Sequence, residues 1–320
     1  MGLIREQWPA NRKTIKDLIL RYHDEPTWQK LQGLVYGKGL KQAKLYSGVY
    51  RFLWRAKQRK HKIIVVSHKT VHGHYDKSRV NLREEAVSFL KKNKLYNQDK
   101  INIIDEVNFC YNQNLKINKI KSLKLDFFVD DLPQIIEKLD FLDYSNKIIF
   151  NPLSKNMNAN FKDVKTFDEL SKYLFQNWST SDFQNKNLFK YKLSKVSEIS
   201  GQGNSKILYC ETVTKKKISL KIYPNDINHN RIKSEYDGLS KIFKKNKNVI
   251  KPLWKNVRAN ICAYQWIDGK KIIKPNRSDI QQTLNFLRHL HKRKNDDCFK
   301  NFPRASGSCM SGYEIEKQIK

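Results

Sequence analysis

The stretch LDFFVDD, residues 125–131, is an apolar run that ends on two adjacent carboxylates, Asp130 and Asp131. Its aromatic and β-branched residues predict a strand that is buried on both faces, and Pro133 ends it shortly afterwards. The strand therefore delivers both carboxylates to its carboxyl end, which is where ligands bind in open α/β sheets. Because two ionised carboxylates repel each other, we expect a cation such as Mg²⁺ beside them; a solvated Asp-Asp turn is the alternative.

Upstream, the run IIVV at residues 63–66 predicts another buried strand, which ends on the hydroxyl of Ser67. These two strands resemble the second and fourth motifs of the haloacid dehalogenase-like (HAD) phosphohydrolase superfamily. The resemblance implies a Rossmann-like parallel sheet with a helical cap. It also implies that Ser67 and a lysine contact a phosphoryl group, while Asp130 and Asp131 hold Mg²⁺. Of the three lysines in the helical run before the acidic strand, Lys119 fits this role best.

One piece of the family pattern is missing. The family's nucleophile is the first Asp of an Asp-x-Asp at the end of the first strand, but only Asp17 and Asp24 precede Ile63, and neither follows an apolar strand. The resemblance places the absent strand between the Ser67 strand and the Asp130 strand, so its loss would unpair two buried strand edges. We therefore expect the chain to be a piece of a longer protein; natural loss of the active site is the rival explanation.

The first half of the chain divides by its pattern into segments. Residues 1–60 carry apolar residues at helical spacing and are predicted to form a helical, cap-like segment. Residues 61–176 alternate helices with strands, one of them predicted at 101–104, which is typical of an α/β domain. The polar residues 177–187 are the predicted linker to a second domain, which covers residues 188–320.

The second domain begins with short strands and a loop that contains Gly201, Gly203 and Asn204. Glycines in such a loop let backbone N–H groups approach phosphates closely, although a plain hairpin is the alternative. Lys221 lies inside the apolar strand that follows, where an unpaired ammonium is costly and needs an anion. Glu235 comes fourteen residues later, in a helical run. The sequence therefore predicts an ion pair between strand and helix.

Loop, lysine, glutamate and a later strand that ends at Gln265 occur in the order found in small-molecule kinases. The segment resembles the N-terminal lobe of aminoglycoside phosphotransferase-like and choline kinase-like enzymes, an α+β fold. The resemblance implies that Lys221 and Glu235 hold the phosphates of ATP and that the backbone from Gln265 to Ile267 meets the adenine. A snorkelling lysine and a surface glutamate are the alternative. No His-x-Asp pattern follows Asp279, so the C-terminal lobe is largely missing.

Composition limits the remaining classes of function. Lys plus Arg is 63 against 31 Asp plus Glu, a net charge of +32, but the basic residues are spread along the chain and no nucleic-acid-binding motif accompanies them. We therefore do not expect specific nucleic-acid binding. Five widely spaced cysteines without a Cys-x-x-Cys indicate neither a zinc site nor a disulfide framework, which favours the reducing cytoplasm. The longest apolar runs have the length of strands, so no membrane span is expected.

These patterns together predict a fragment of a bifunctional phosphate-handling protein. It combines a HAD-like phosphatase module with a kinase-like phosphotransferase module, uses Mg²⁺ and ATP, and acts on a small phosphorylated or hydroxylated metabolite such as a sugar. The chain alone lacks the catalytic residues of both modules. Two alternatives stay open: an inactive pseudoenzyme that binds nucleotide or sugar phosphate, and a basic nucleic-acid-binding protein, which would show a steep dependence on salt. The sequence does not indicate an oligomeric state.

Overall fold

The chain divides into two units, residues 1–190 and 191–320. The computed structural model describes residues 7–8, 12–75, 77–97, 102–153, 161–199, 204–225, 231–270, 272–293 and 295–297. None of the helices among these residues is long and apolar enough to cross a membrane. Each unit has its own sheets and helices, and together they form a mixed α/β protein, which confirms the predicted class.

The first unit alternates helices with short strands. In chain order its elements are α1 (Arg12–Tyr22), α2 (Glu25–Tyr36), α3 (Val49–Gln58), β1 (Ile64–His68), α4 (Leu82–Lys92), β2 (Glu106–Cys110), α5 (Gln113–Ser122), β3 (Phe128–Asp130), α6 (Pro133–Ile136), β4 (Lys147–Phe150), β5 (Lys162–Val164) and α7 (Phe167–Phe175). Polar caps begin several helices. At the start of α5, for example, the side chain of Asn112 accepts a hydrogen bond of 2.9 Å from the backbone N–H of Leu115.

The strands of the first unit form two separate parallel sheets. β1 pairs with β2, and β3, β4 and β5 form the other sheet in that order. Both sheets contribute to one core, in which Val66 of β1 and Phe128 of β3 join Ile120 of α5. No strand of the described residues lies between β1 and β3. The resemblance to phosphohydrolases places its missing strand at this position.

The predicted strand at 101–104 differs from the structure. Ile103 and Ile104 are buried, but the described residues 102–104 form a bend, and the strand begins at Glu106. The backbone N–H of Ile104 donates to the carbonyl of Leu95 at 2.8 Å, so the two isoleucines follow the end of α4 and pack beneath the entry to β2. The apolar run at 101–104 therefore predicted the burial of Ile103 and Ile104 correctly but not the position of the strand, which is β2.

Residues 177–187 pack into the first unit, although their polar composition suggested a linker. Asp182 is fully buried and accepts hydrogen bonds from the guanidinium groups of Arg55 and Arg59, both at the end of α3. The ring of Phe183 lies edge-on to Trp54, with 5.8 Å between centroids. The last turn of α3 thus anchors the segment by charge and by aromatic packing.

The second unit is built on a five-stranded antiparallel sheet. Its elements are β6 (Leu193–Ile199), β7 (Lys206–Thr212), β8 (Lys217–Ile222), α8 (Gly238–Lys245), β9 (Pro252–Asn256), β10 (Ile261–Gln265) and α9 (Arg277–His291). The strands lie in the order β6-β7-β8-β10-β9, so β8 is the central strand. A π-helical turn, Lys233–Asp237, leads into α8. Side chains alternate along β8: Ile218 and Leu220 are fully buried, whereas Lys221 points to the opposite face of the sheet.

Candidate functional site

In the first unit, the acidic strand and α5 meet at a buried ion pair between Lys116 and Asp130. The ammonium of Lys116 contacts Oδ2 of Asp130, and the two side chains are only 8% and 6% exposed. The other carboxylate oxygen of Asp130 accepts a hydrogen bond of 3.1 Å from the backbone N–H of Leu132. Because Lys116 lies in the first turns of the helix that follows β2, the carboxyl ends of β2 and β3 face the same edge of the unit.

The surroundings of Asp130 shift the pKa of its carboxyl group in opposite directions. Removal from water raises the pKa of Asp130, the neighbouring charge of Asp131 raises it further, and the contact with Lys116 opposes both effects. Asp131 itself is exposed. A divalent cation between the two carboxylates would relieve their repulsion. Among the described residues, no three side chains of His, Cys, Asp or Glu are grouped so that they could hold a metal ion. A metal here would therefore take its remaining ligands from phosphate and water, as Mg²⁺ often does.

The lysine beside the acid pair is Lys116 rather than Lys119, which the sequence favoured. The ammonium of Lys119 lies 3.8 Å from Oε1 of Glu106, and both side chains are more than one-third exposed. Lys121 reaches a different carboxylate, that of Asp140, at 3.1 Å. Helical spacing was the available signal, since Lys116 precedes the fully buried Ile120 by four residues and so shares its face.

Ser67 lies near the carboxyl end of β1, next to Phe109 of β2 in the strand register. It is half-buried, and the pairing of the two strands continues beyond it, because the backbone N–H of Lys69 donates to the carbonyl of Cys110 at 2.9 Å. Among the described residues its hydroxyl makes no hydrogen bond to Asp130 or Lys116. The structure therefore joins the acid pair to Lys116 and leaves Ser67 on the neighbouring sheet.

In the second unit, the structure brings Lys221 and Glu235 together. The ammonium of Lys221 contacts Oε2 of Glu235, with side chains 26% and 38% exposed. Lys221 lies opposite Cys262 of β10 and Ile207 of β7, in the middle of the sheet. Glu235 lies in the π-helical turn before α8. The ion pair thus joins the central strand to the helical segment that follows it, as the sequence predicted.

Tyr223 holds the carboxylate of this pair in place and is itself bonded to Tyr264, a network that sequence reasoning missed. The hydroxyl of Tyr223 donates to Oε2 of Glu235 at 3.1 Å and lies 2.8 Å from the hydroxyl of Tyr264. Burial raises the pKa of both tyrosines, and it raises the pKa of the adjacent Cys262 thiol to about 12. All three groups therefore stay protonated near neutral pH. A tyrosine two residues after a strand lysine was the only available signal for this network.

Of the other residues predicted to contact nucleotide, the structure brings none that it describes together with Lys221 and Glu235. Gly201 and Gly203 lie outside the described residues, and Asn204 is an exposed residue just before β7. Gln265 ends β10, and its backbone N–H donates to the carbonyl of Lys251 at 2.9 Å. Ile267 is 57% exposed.

Side-chain contacts of Trp266 and Asp268 fix the segment that contains Ile267. The indole N–H of Trp266 donates to the carboxylate of Asp268 at 2.9 Å, and Lys217 pairs with the same carboxylate. The Trp266 ring also lies edge-on to Tyr209, with 4.8 Å between centroids. The segment after β10 is therefore fixed by side-chain contacts, with Ile267 exposed.

Comparisons with known proteins add no family to this picture: no family model matches the chain, and neither the curated proteins nor the solved structures include a match.

Proposed function

We propose that the second unit binds ATP with Mg²⁺ in the manner of aminoglycoside phosphotransferase-like kinases. The contact between Lys221 and Glu235 carries this proposal. In protein kinases a lysine on the third strand contacts the ATP phosphates and is held by a glutamate from the following helix. Lys221 lies on the third strand of the second unit, and Glu235 lies in the helical segment after that strand.

Stability alone does not account for a lysine at this position. A pair as exposed as Lys221 and Glu235 contributes about 0–1 kcal/mol to folding. An apolar residue in the central strand would serve the sheet better. An ammonium group can donate three hydrogen bonds, and Lys221 donates one of them to Oε2 of Glu235, which also accepts from Tyr223. The remaining donors are available for phosphate oxygens, which is the use we propose.

A second candidate function belongs to the first unit. We propose that Asp130 and Asp131 hold Mg²⁺ and that Lys116 and Ser67 contact a phosphoryl group, as in HAD-like phosphohydrolases. The buried pair of Lys116 and Asp130 supports this, because a buried lysine beside two adjacent acids has a cost that folding alone does not repay. When bound, the metal would supply positive charge to phosphoryl oxygens.

Together the two sites support a bifunctional phosphate-handling protein that acts on a small phosphorylated or hydroxylated metabolite. A catalytically inactive protein that binds the same ligands is the alternative, since both proposals concern binding. The described cysteines Cys110, Cys210 and Cys262 are free and buried, which supports a reducing compartment such as the cytoplasm.

Calorimetric titration of the full chain with ATP and Mg²⁺ tests the first proposal. Lys221→Ala should weaken binding by about 10-fold to 100-fold, the value of one charge-assisted hydrogen bond. Lys195→Ala is the matched control, because it removes the same charge from an exposed position on the edge strand β6 of the same sheet. Unchanged binding in Lys221→Ala, or an equal loss in Lys195→Ala, would contradict the proposal.

Titration with phosphate and Mg²⁺ tests the second proposal separately. Asp130→Asn should abolish the Mg²⁺-dependent part of phosphate binding and leave ATP binding intact. Binding of nucleic acid that falls steeply with salt and is not displaced by ATP would favour the nucleic-acid alternative instead.

A further inference from the structure

Two cations lie among aromatic rings at the carboxyl end of β1 and β2, next to the proposed phosphoryl site. The ammonium of Lys69 lies 4.5 Å from the ring centroid of Tyr36, which is the last residue of α2. The guanidinium carbon of Arg83, on α4, lies 5.3 Å from the ring of Tyr111 and 5.9 Å from that of Phe109. Two helices, α2 and α4, and the carboxyl ends of two strands, β1 and β2, therefore contribute to one basic, aromatic cluster.

The backbone holds the two cationic residues together. The Nε–H of Arg83 donates to the carbonyl of Lys69 at 2.9 Å, and the N–H of Lys69 donates to the carbonyl of Cys110 at 2.9 Å. At the start of α4, the side chain of Asn81 accepts from the N–H of Arg83 at 3.1 Å. The positions of both side chains are thus fixed by β2 and by the helix cap, not by each other's charge, which would drive them apart.

Neither cation has a carboxylate partner among the described residues. Lys69 is half-buried, and burial lowers the pKa of Lys69 with no acid to oppose the effect. A half-buried ammonium without a counter-ion is costly, and it becomes favourable when an anion binds. Surface lysines elsewhere in this basic chain keep their water and have no such cost.

The rings next to the cations remain accessible. Tyr111 is 60% exposed and Tyr36 is 37% exposed. An exposed aromatic ring beside a guanidinium offers a flat apolar surface on which a second ring can stack.

We propose that Lys69 and Arg83 form an anion site that takes a phosphate monoester carrying a flat ring, such as a nucleoside monophosphate. Lys69 and Arg83 bind the phosphate, and the ring stacks on Tyr111. The site goes beyond the proposed function, because it needs neither Mg²⁺ nor the acid pair at Asp130. Lys69 lies two residues beyond Ser67 and just past the end of β1, on the sheet that does not carry the acid pair.

Calorimetry of the full chain with phenyl phosphate and with inorganic phosphate, both in EDTA, tests the site. Phenyl phosphate should bind more tightly than inorganic phosphate, and Lys69→Met should weaken it by about 10-fold to 100-fold. Arg83→Gln is an independent variant with the same expected direction. Tyr111→Leu should bring phenyl phosphate down to the affinity of inorganic phosphate and leave the latter unchanged.

Lys62→Met is the matched control, because Lys62 lies two residues before β1 begins, is 67% exposed and pairs with Glu106. An equal loss in Lys62→Met would show that phosphate follows the overall charge and would overturn the proposal. Failure of the parent chain to bind phenyl phosphate would overturn it too. Weaker binding in Asp130→Asn would assign the anion to the acid-pair site, and the separate site would then be wrong.

Unfolding without ligand separates binding from a structural role for Lys69. Lys69→Met removes a half-buried cation that no carboxylate compensates, so the urea midpoint should stay the same or rise while phosphate affinity falls. A lower midpoint with unchanged affinity would mean that Lys69 serves only to pack against Tyr36, and the inference would fail.

Discussion

Replacing Lys116 by Met should destabilise the first unit by about 3–5 kcal/mol at neutral pH, the cost of breaking a buried ion pair by removing one partner. The side chains of Lys116 and Asp130 are 8% and 6% exposed, which puts the pair in that buried class. Methionine keeps most of the length and apolar surface of lysine, including its packing near the ring of Phe128. The loss of stability in Lys116→Met therefore measures the cost of leaving the carboxylate of Asp130 without a partner, more than the cost of a cavity.

Lys119→Met is the internal control, since it removes the same charge one helical turn later. The pair of Lys119 and Glu106 is 3.8 Å apart and more than one-third exposed on both sides, so its loss should cost about 0–1 kcal/mol. The two variants have the same net charge and the same helix. Their difference in stability isolates the buried pair.

The destabilisation caused by Lys116→Met should depend on pH in a definite direction. Burial raises the folded pKa of Asp130 above its usual value of 3.8, and removing Lys116 takes away the effect that opposes this rise. A carboxyl with a raised folded pKa binds its proton more readily in the folded state than in the unfolded state. Its penalty is therefore absent below 3.8 and grows as pH rises through the folded pKa. The cost of Lys116→Met should accordingly be largest near pH 7 and shrink as the solution is acidified.

The measurement is a urea titration followed by hydrogen exchange with peptide resolution, which reports the first unit separately from the second. For a slope of about 2–3 kcal/mol per molar urea, the expected loss shifts the midpoint of peptides from β1 to β5 by about 1–2.5 M. A shift in Lys116→Met no larger than that in Lys119→Met would refute the reasoning. So would a cost that grows on acidification.

Two further predictions concern the segment at 177–187 and the tyrosine pair of the second unit. Asp182→Ala should destabilise the first unit by about 3–5 kcal/mol, because it strands two guanidinium groups that Asp182 now pairs. Asp140→Ala, at a carboxylate that is 79% exposed and pairs with the partly exposed Lys121, should cost about 1 kcal/mol or less; the same urea and exchange measurement compares them. Equal losses of stability in the two variants would mean that residues 177–187 act only as a linker. Tyr223→Phe should weaken ATP binding by about 3-fold to 10-fold, because Glu235 loses a neutral hydrogen bond that positions it. Calorimetry with Tyr264→Phe as the comparison checks this, since the hydroxyl of Tyr264 bonds that of Tyr223 and not the carboxylate of Glu235. An unchanged affinity in Tyr223→Phe would exclude the positioning role.

The sequence predicted the features that depend on local pattern. Apolar runs marked β1 and β3, and a lysine inside an apolar strand predicted a partner for Lys221, which the structure provides in Glu235. Prediction failed where a contact joins distant parts of the chain. Asp182 meets Arg55 across 127 positions, so nothing near Asp182 distinguishes it from a polar linker residue. The choice among the three lysines also failed, because the resemblance did not show which face of α5 packs on the core. Lys116 shares the buried face with Ile120, whereas Lys119 is more than one-third exposed.

The two candidate sites differ in how a ligand could use them. The pair of Lys221 and Glu235 is partly open, so a phosphate can contact the free donors of the lysine while the ion pair stays intact. The pair of Lys116 and Asp130 is closed, and each oxygen of Asp130 already has a partner. A cation that binds Asp130 and Asp131 must therefore share an oxygen with Lys116 or displace it. Displacement would free the Lys116 ammonium for a phosphoryl oxygen, so metal and phosphate should bind the first unit cooperatively, whereas ATP needs no such rearrangement in the second.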